Sequence, residues 1–254
     1  MAEDNNIQPE DKVVDGKTLR IRILTDSHKL KALGLDTLDL DLDPMPAEVW
    51  QRIEEAVRRT SMGDGEAMGQ LAATLRPTAP GAAMVLYSGA AKRGDVKSMV
   101  DLGIMLNERG RVDEASRWWT RAAVAGNPGA IFALGTLAAK KHPRKARKFY
   151  KKAAELGHAQ AMDKLAILLW RAHRRRAARH WFEQAVRSGR PIAMHNYGMF
   201  LRRRDRQRAI DFWRQAGDKG YVLSMEALAR ELEDESPDEA KHWSRRVAEN
   251  SSSQ

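Results

Sequence analysis

The feature that most constrains this chain is an internal repeat of 31 or 32 residues that runs through most of its length. Glycines return at this interval, and so does a separate series of alanines placed between them. The two series are Gly63, Gly94, Gly126, Gly157, Gly189 and Gly220, and Ala115, Ala146, Ala177, Ala209 and Ala240. Because two series keep one period, the chain is predicted to be an array of a single supersecondary unit.

Each unit is predicted to contain two helices. Apolar residues stand five, eight and twelve positions after the repeat glycine, a spacing that places them on one face of a helix. The residue nine positions after the glycine is small, as at Gly103 and Gly198, so a neighbouring helix can approach closely. The second helix carries aromatic residues one turn after its alanine. We expect Trp119, Tyr150 and Trp213 in this group to lie in the core.

The ends of these helices are also predictable. The repeat glycine fits the left-handed C′ position that terminates the second helix of each unit. Pro128 and Pro191 stand where the first turn of the next helix tolerates a missing N–H group. One helix pair cannot bury its apolar stripe alone, so the pairs must stack. The predicted fold class is therefore all-α, an α-solenoid of about six stacked helix-turn-helix repeats over residues 63–250, with residues 251–254 as a disordered tail.

The residues before the repeats have a different pattern. We predict a disordered tail at residues 1–18, a small β-containing extension at residues 19–46, and a helix at residues 47–62 that caps the solenoid. Apolar and charged residues alternate in residues 19–24 and 37–42, which is the period of a β-strand. If the two strands pair, arginines stand opposite aspartates, which is favourable. The competing interpretation is a loosely ordered extension.

Residues 110–126 resemble the Sel1-like repeat family, a branch of the tetratricopeptide superfamily. The motif begins at Gly110, continues through Ala115, Trp118-Trp119 and Ala122-Ala123, and ends at Gly126. The resemblance extends over about residues 63–250, with a period shorter than the commonest one in the family. It implies a non-catalytic adaptor or scaffold that binds a protein partner.

The resemblance also implies where such a partner binds. In stacked helix pairs of this type, the first helices line a concave groove. The groove positions of the central repeats are occupied by Phe132, Thr136, Asp163, Ile167, Trp170, Arg171, His195, Met199, Arg202 and Arg203. Trp, Met and Arg are frequent in protein-binding hot spots. The alternative for Trp170 and Met199 is that they pack between repeats.

The net charge of +10 is distributed unevenly along the chain. Residues 1–46 hold 6 Lys/Arg and 10 Asp/Glu, whereas residues 139–213 hold 21 and 5. Many of these cations stand at turns between the two helices of a repeat. We call this set the basic edge: Lys140, Lys141, Arg144, Lys145, Arg174, Arg175, Arg176, Arg204, Arg206 and Arg208.

Two interpretations of the basic edge compete. Turns need polar residues, and an arginine-rich composition supplies them without any function. Alternatively the edge attracts an anionic ligand, either an acidic protein partner or nucleic acid. The acidic terminal segments add a further hypothesis, in which they bind the basic edge of the same molecule or of a neighbour.

Other functional classes lack their sequence signatures. The chain has no cysteine, so disulfide scaffolds and cysteine-ligated metal sites are excluded. Gly16-Lys17-Thr18 imitates the end of a phosphate-binding loop, but Asp11 stands where the first glycine of that motif is required. We therefore expect no catalytic residues, no cofactor, no metal and no membrane insertion. The acidic, polar start of the chain favours a cytoplasmic protein, and we expect a monomer or weak self-association.

Overall fold

The structure, a computed structural model, describes Glu55, Arg59 and residues 64–252, and the chain divides into two compact units after Ala125. Unit 1 contains α1 (Gly65–Leu75), α2 (Pro80–Lys92), α3 (Val96–Glu108) and α4 (Val112–Val124). Unit 2 contains α5 (Pro128–Ala139), α6 (Pro143–Glu155), α7 (Ala159–Arg171), α8 (Arg175–Val186), α9 (Pro191–Leu201), α10 (Arg206–Asp218), α11 (Val222–Glu231) and α12 (Pro237–Ser252). The described residues thus form six helix pairs and no strand, which confirms the predicted all-α repeat fold.

Each helix pair corresponds to one sequence repeat, and the glycine between pairs has the predicted backbone conformation. The five described repeat glycines have φ values between 70° and 96°. They are Gly94, Gly126, Gly157, Gly189 and Gly220. Since an L-residue is strained at such φ values, the period of the glycines marks where each second helix must end.

Two repeats, one in each unit, bring a glycine directly against a tryptophan ring. A Cβ at Gly103 would overlap Trp119, and a Cβ at Gly198 would overlap Trp213. Each indole N–H donates a hydrogen bond to a backbone carbonyl of the first helix, at 3.1 Å for Trp119 and 3.2 Å for Trp213. The small residue nine positions after the repeat glycine is therefore required by the aromatic core of the same repeat.

In four repeats, the residue directly after the repeat glycine is the N-cap of the first helix, and its side chain caps that helix. Asp64, Asp95 and Asn127 each accept a hydrogen bond from the backbone N–H three residues later. His158 takes the same place before α7, where its Nδ1 accepts from the N–H of Ala161 at 3.3 Å. An imidazole accepts at Nδ1 only when it is neutral. Burial, with a smaller contribution from Arg190, lowers the pKa of His158 and favours that neutral form.

This cap makes the stability of unit 2 dependent on pH. A histidine whose pKa is lowered on folding contributes stability that is complete above its unfolded value of 6.5 and is lost as the pH falls through the folded pKa. Protonation removes the acceptor and places a cation at a helix N-terminus, so we expect a loss of about 1 kcal/mol, the size of one N-cap. His158→Asn retains a capping side chain and should lose less stability between about pH 7.5 and about pH 5.5. Urea unfolding of both proteins measures this, and equal losses would contradict it.

Several predicted segments lie outside the described residues. These are the tail at residues 1–18, the extension at residues 19–46 with its two strands, and most of the capping helix at residues 47–62. Within that last range, Glu55 and Arg59 are helical. At the other end, α12 continues to Ser252, into the predicted tail.

Candidate functional site

Unit 2 contains a cavity of about 710 Å³ beside α7 and α9, the first helices of two successive repeats. The turn between α7 and α8 and the start of α8 complete its wall. The lining residues are Ile167, Trp170, Arg171, His173, Arg175, His195, Asn196, Met199 and Arg203. A volume of this size is typical of sites that accept a small molecule or a few side chains of a partner.

Three residues, Ile167, Trp170 and Met199, form the apolar part of the cavity lining, which we call the floor. Ile167 and Trp170 are half-buried, and Met199 is 39% exposed. The Trp170 ring packs edge-on against Phe200 and Phe182, at centroid distances of 5.7 and 6.3 Å. Trp170 therefore packs against the aromatic core, as one sequence-based alternative predicted, and it also lines the cavity.

Three arginines also line the cavity, without a carboxylate partner in the described structure. Among the residues that the structure describes, Arg171, Arg175 and Arg203 form no ion pair, and no acidic side chain lines the cavity. The guanidinium of Arg175 lies 5.9 Å from the centroid of the Phe200 ring, and its buried Nε donates no hydrogen bond. The cavity therefore combines an apolar surface with an unneutralised positive charge.

Neutral polar groups complete the wall. The Nδ1 of His195 lies 3.0 Å from the Oγ of Ser224, and burial lowers the pKa of His195. The Nδ2 of Asn196 donates to both carboxylate oxygens of Asp163, at 3.0 and 2.8 Å. Asp163 is only 6% exposed, and its burial raises its pKa, although the bond from Asn196 opposes this shift. The positive charge of the cavity therefore comes from its arginines and not from His195.

His173 has an unusual backbone conformation in this wall. Its φ is 58°, and among the described residues it is the one non-glycine residue with a positive φ. In unit 1, the turn between α3 and α4 has Gly110 at the equivalent position, with φ of 75°. The His173 side chain is thus held beside the cavity at the cost of a left-handed backbone conformation.

Substituting this residue should separate stability from binding. Replacing His173 with glycine removes the steric cost of the left-handed conformation, so we expect the free energy of unfolding to rise by about 0.5–1 kcal/mol. The same change removes one side chain from the cavity lining and should weaken the binding of a ligand there. Urea unfolding measures the first effect, and an unchanged or lower stability would contradict the assignment of strain.

The structure brings six of the ten predicted groove residues to this cavity: Ile167, Trp170, Arg171, His195, Met199 and Arg203. Asp163 does not line the cavity, but it accepts a hydrogen bond from the lining residue Asn196. Phe132 is elsewhere in unit 2, with its ring stacked on His158 at 4.7 Å. Thr136 is exposed, and its Oγ1 donates to the Phe132 carbonyl at 3.1 Å. Arg202 forms an ion pair with Glu231 at 2.6 Å.

The basic edge is neutralised at one end only. The guanidinium of Arg206 pairs with Glu231 at 2.8 Å and with Glu235 at 2.6 Å. Arg208 pairs with Asp205 at 3.7 Å. Within the described chain the other eight members have no ion pair: Lys140, Lys141, Arg144, Lys145, Arg174, Arg175, Arg176 and Arg204. One of these eight, Arg175, also lines the cavity.

Sequence reasoning did not place three lining residues in the groove: His173, Arg175 and Asn196. Arg175 was predicted only as part of the basic edge. The available signal for His173 was its position in the turn that Gly110 occupies in an earlier repeat. Asn196 follows His195 in the sequence. Its contact with Asp163 joins two repeats, so no local sequence pattern indicates it.

Two other kinds of site lack their structural features in the described residues. No group of histidine and acidic side chains there has an arrangement that could hold a metal ion. None of the described helices has the length and apolar character needed to cross a membrane.

Comparisons with known proteins agree with this architecture. A family profile described as tetratricopeptide repeat matches residues 158–190, which include α7 and α8. A protective antigen of uropathogenic Escherichia coli strains, which displays an SLR fold, superposes with a TM-score of 0.72 and 22% identity. The match covers 79% of this chain but 49% of that one, so this chain spans about half the length of that relative.

Two further solved structures have the same fold. A Sel1 repeat protein of Oxalobacter formigenes superposes with a TM-score of 0.65 and 16% identity, over 77% of this chain and 96% of that one. An immunity protein of Pseudomonas aeruginosa superposes with a TM-score of 0.55 and 20% identity, over 74% and 82% of the two chains. No curated protein sequence matches the chain. The chain thus has the fold of these Sel1-like repeat structures, and residues 158–190 match a tetratricopeptide repeat, in agreement with the residue pattern.

Proposed function

We propose that the chain is a non-catalytic adaptor whose unit 2 binds an acidic segment of a protein partner in the cavity beside α7 and α9. The observation that carries the proposal is that the apolar floor and three arginines line the same cavity. These arginines lack a carboxylate partner in the described residues. An apolar side chain of the partner would cover Ile167, Trp170 and Met199. Carboxylates beside it would form ion pairs with the arginines.

The residue types and the fold support a protein as the ligand. Tryptophan and arginine are the residues that most often dominate protein-binding energy, and methionine adapts its shape to a partner. Repeat proteins of this kind present extended surfaces to other proteins. One relative with this fold is an immunity protein, although the likeness shows a shared fold and no shared partner.

Affinity capture with matched variants tests the proposal. The chain, the cavity variant Arg171→Glu/Arg203→Glu and the control variant Lys148→Glu/Arg245→Glu are used as baits in parallel. Lys148 and Arg245 are exposed, have no ion pair in the described structure and lie outside the cavity, so the control changes the net charge equally. A partner of this site is retained by the chain and the control and lost from the cavity variant. The purified partner must then bind with the same dependence.

Nucleic acid is the competing ligand, because it would be attracted by the same positive charge. Anisotropy with short labelled DNA and RNA at about 50 mM and about 200 mM salt distinguishes the two, since non-specific binding weakens steeply with salt. The proposal expects weak nucleic-acid binding that disappears at the higher salt. Tight binding that persists there and requires Arg171 and Arg203 would replace the protein partner with nucleic acid.

A further inference from the structure

The cavity in unit 2 holds more positive charge than the surrounding side chains balance. Arg171, Arg175 and Arg203 line it, and in the described structure none of the three forms an ion pair. By contrast, Arg214 in α10 binds both carboxylate oxygens of Glu239, each at 2.8 Å. A ligand of the cavity is therefore expected to bring more than one negative charge with it.

Arg175 also lacks a hydrogen-bond acceptor. Its Nε is buried and donates no hydrogen bond to any group of the described structure. The guanidinium lies over the Phe200 ring, 5.9 Å from the ring centroid. Because the five N–H groups of a guanidinium lie in its plane, the ring contact does not use them. A buried donor without an acceptor costs free energy, and a ligand that accepts from it would recover that cost.

The positive end of α8 adds to the attraction for an anion. The helix begins at Arg175, which lines the cavity, and the side chain of its N-cap residue Arg174 makes no capping hydrogen bond. The N–H groups of a first helical turn and the positive end of the helix dipole both favour a negative ligand. This contribution acts together with the charges of the three arginines.

We infer that the cavity binds a phosphorylated side chain of the partner, with an apolar residue beside it on the floor. The inference rests on the proposed function and deepens it, because it names the group that the three arginines bind. A phosphoryl group carries about −1.5 to −2 charges at pH 7 and offers three acceptor oxygens. One carboxylate carries a single charge on two oxygens. Guanidinium groups bind phosphate through two parallel hydrogen bonds.

The size of the cavity favours this group over a cluster of carboxylates. A volume of about 710 Å³ accommodates only a few side chains of a partner. Three carboxylates, one for each arginine, would leave less of this space for an apolar contact with Ile167, Trp170 and Met199. One phosphoryl group places most of the required charge on a single side chain. An apolar neighbour of that side chain can then cover the floor.

Mixtures of short peptides test this chemistry for any partner sequence. Three mixtures carry phosphoserine, phosphothreonine or phosphotyrosine at the centre, with mixed residues on both sides. Matched mixtures carry glutamate or the unphosphorylated residue at the centre. The immobilised full-length chain should retain at least one phosphorylated mixture at least about tenfold better than its matched mixtures. Equal retention of the glutamate mixture, or no retention of any phosphorylated mixture, would overturn the inference.

The most strongly retained phosphopeptide is then labelled and titrated with full-length variants. Arg171→Glu/Arg203→Glu should lower its affinity at least about tenfold, and the control Lys148→Glu/Arg245→Glu much less. Arg175→Lys keeps the charge but removes the guanidinium, so a loss of at least about fivefold is expected. Equal losses from the two charge-reversal pairs, or no loss from Arg175→Lys, would overturn phosphate binding in the cavity. Melting temperatures show whether each variant is folded, and Arg171→Gln/Arg203→Gln replaces the first pair if it is not.

Two further measurements separate the sources of phosphate and keep this inference distinct from the proposed function. Inorganic phosphate should displace the labelled phosphopeptide only at a concentration on the order of 1 mM or more. Displacement at the peptide's own Kd would assign the cavity to a free anion instead. In the capture experiment, phosphatase treatment of the extract should remove the cavity-dependent partner.

The capture results distinguish the two failures. A partner that survives phosphatase treatment, and is still lost from Arg171→Glu/Arg203→Glu, would overturn the phosphorylated ligand and support the proposed function. The absence of any cavity-dependent partner, together with normal phosphopeptide binding, would instead contradict the proposed adaptor.

Discussion

Replacing Trp213 with alanine is expected to lower the free energy of unfolding of unit 2 by about 3–5 kcal/mol. The side chain is 1% exposed, lies against Gly198, and donates its indole N–H to the His195 carbonyl. The substitution therefore leaves a large cavity and removes a hydrogen bond between two helices of one repeat. Chemical denaturation followed by circular dichroism measures the loss.

A matched control for this substitution exists in α8. Trp181→Ala removes the same side chain from a half-buried position, where the Trp181 ring has an edge contact with His180 at 5.2 Å. We expect this control to cost much less than Trp213→Ala, because little buried volume is lost. A cost at Trp213 no larger than that at Trp181 would show that the tryptophan is not the centre of the repeat's packing.

Replacing Trp170 with alanine is expected to have its larger effect on binding. A tryptophan at the centre of an interface contributes about 2 kcal/mol or more, so partner affinity should fall about 30-fold. Trp170 is only half-buried and keeps one side toward the cavity, so its loss should cost less than the about 3–5 kcal/mol expected for a fully buried tryptophan. Titration of the captured partner and denaturation of the same variant measure the two quantities.

Trp213→Ala and Trp170→Ala thus form a pair with opposite expectations. The first should unfold the repeat at lower denaturant and change partner affinity only through folding. The second should weaken the partner while the protein still unfolds near its normal midpoint. If Trp170→Ala instead destabilised the protein as much as Trp213→Ala and left the affinity intact, Trp170 would be a core residue and the proposed site would lose its central contact.

The fold was largely predictable because its determinants are local and repeat along the chain. Gly126 and its equivalents end helices through their own backbone conformation, and Asn127 or Pro128 begins the next helix within two residues. The close contact of Gly198 with Trp213 also lies within one repeat. Determinants of this kind leave a visible period in the sequence.

The site was predictable only in part, because its contacts join different repeats. Asn196 is held by Asp163, which lies 33 residues earlier, and no local pattern reveals such a pair. Phe132 stands at a groove position by analogy, yet its ring stacks on His158, the unusual N-cap of the next repeat. His173 was not predicted at the site, although the equivalent position of an earlier repeat is Gly110, which also has a positive φ.

The ion pairs at one end of the basic edge determine how a ligand would reach the cavity. Glu231 and Glu235 cancel the charge of Arg202 and Arg206, so the uncompensated arginines are concentrated beside α7 and α8. An acidic molecule is attracted to that region before contact, over a distance of about 8–10 Å at physiological salt. Attraction of this kind raises the rate of association, while the apolar floor governs how long the complex lasts. The proposed site would therefore capture an acidic ligand quickly and retain it by a different set of side chains.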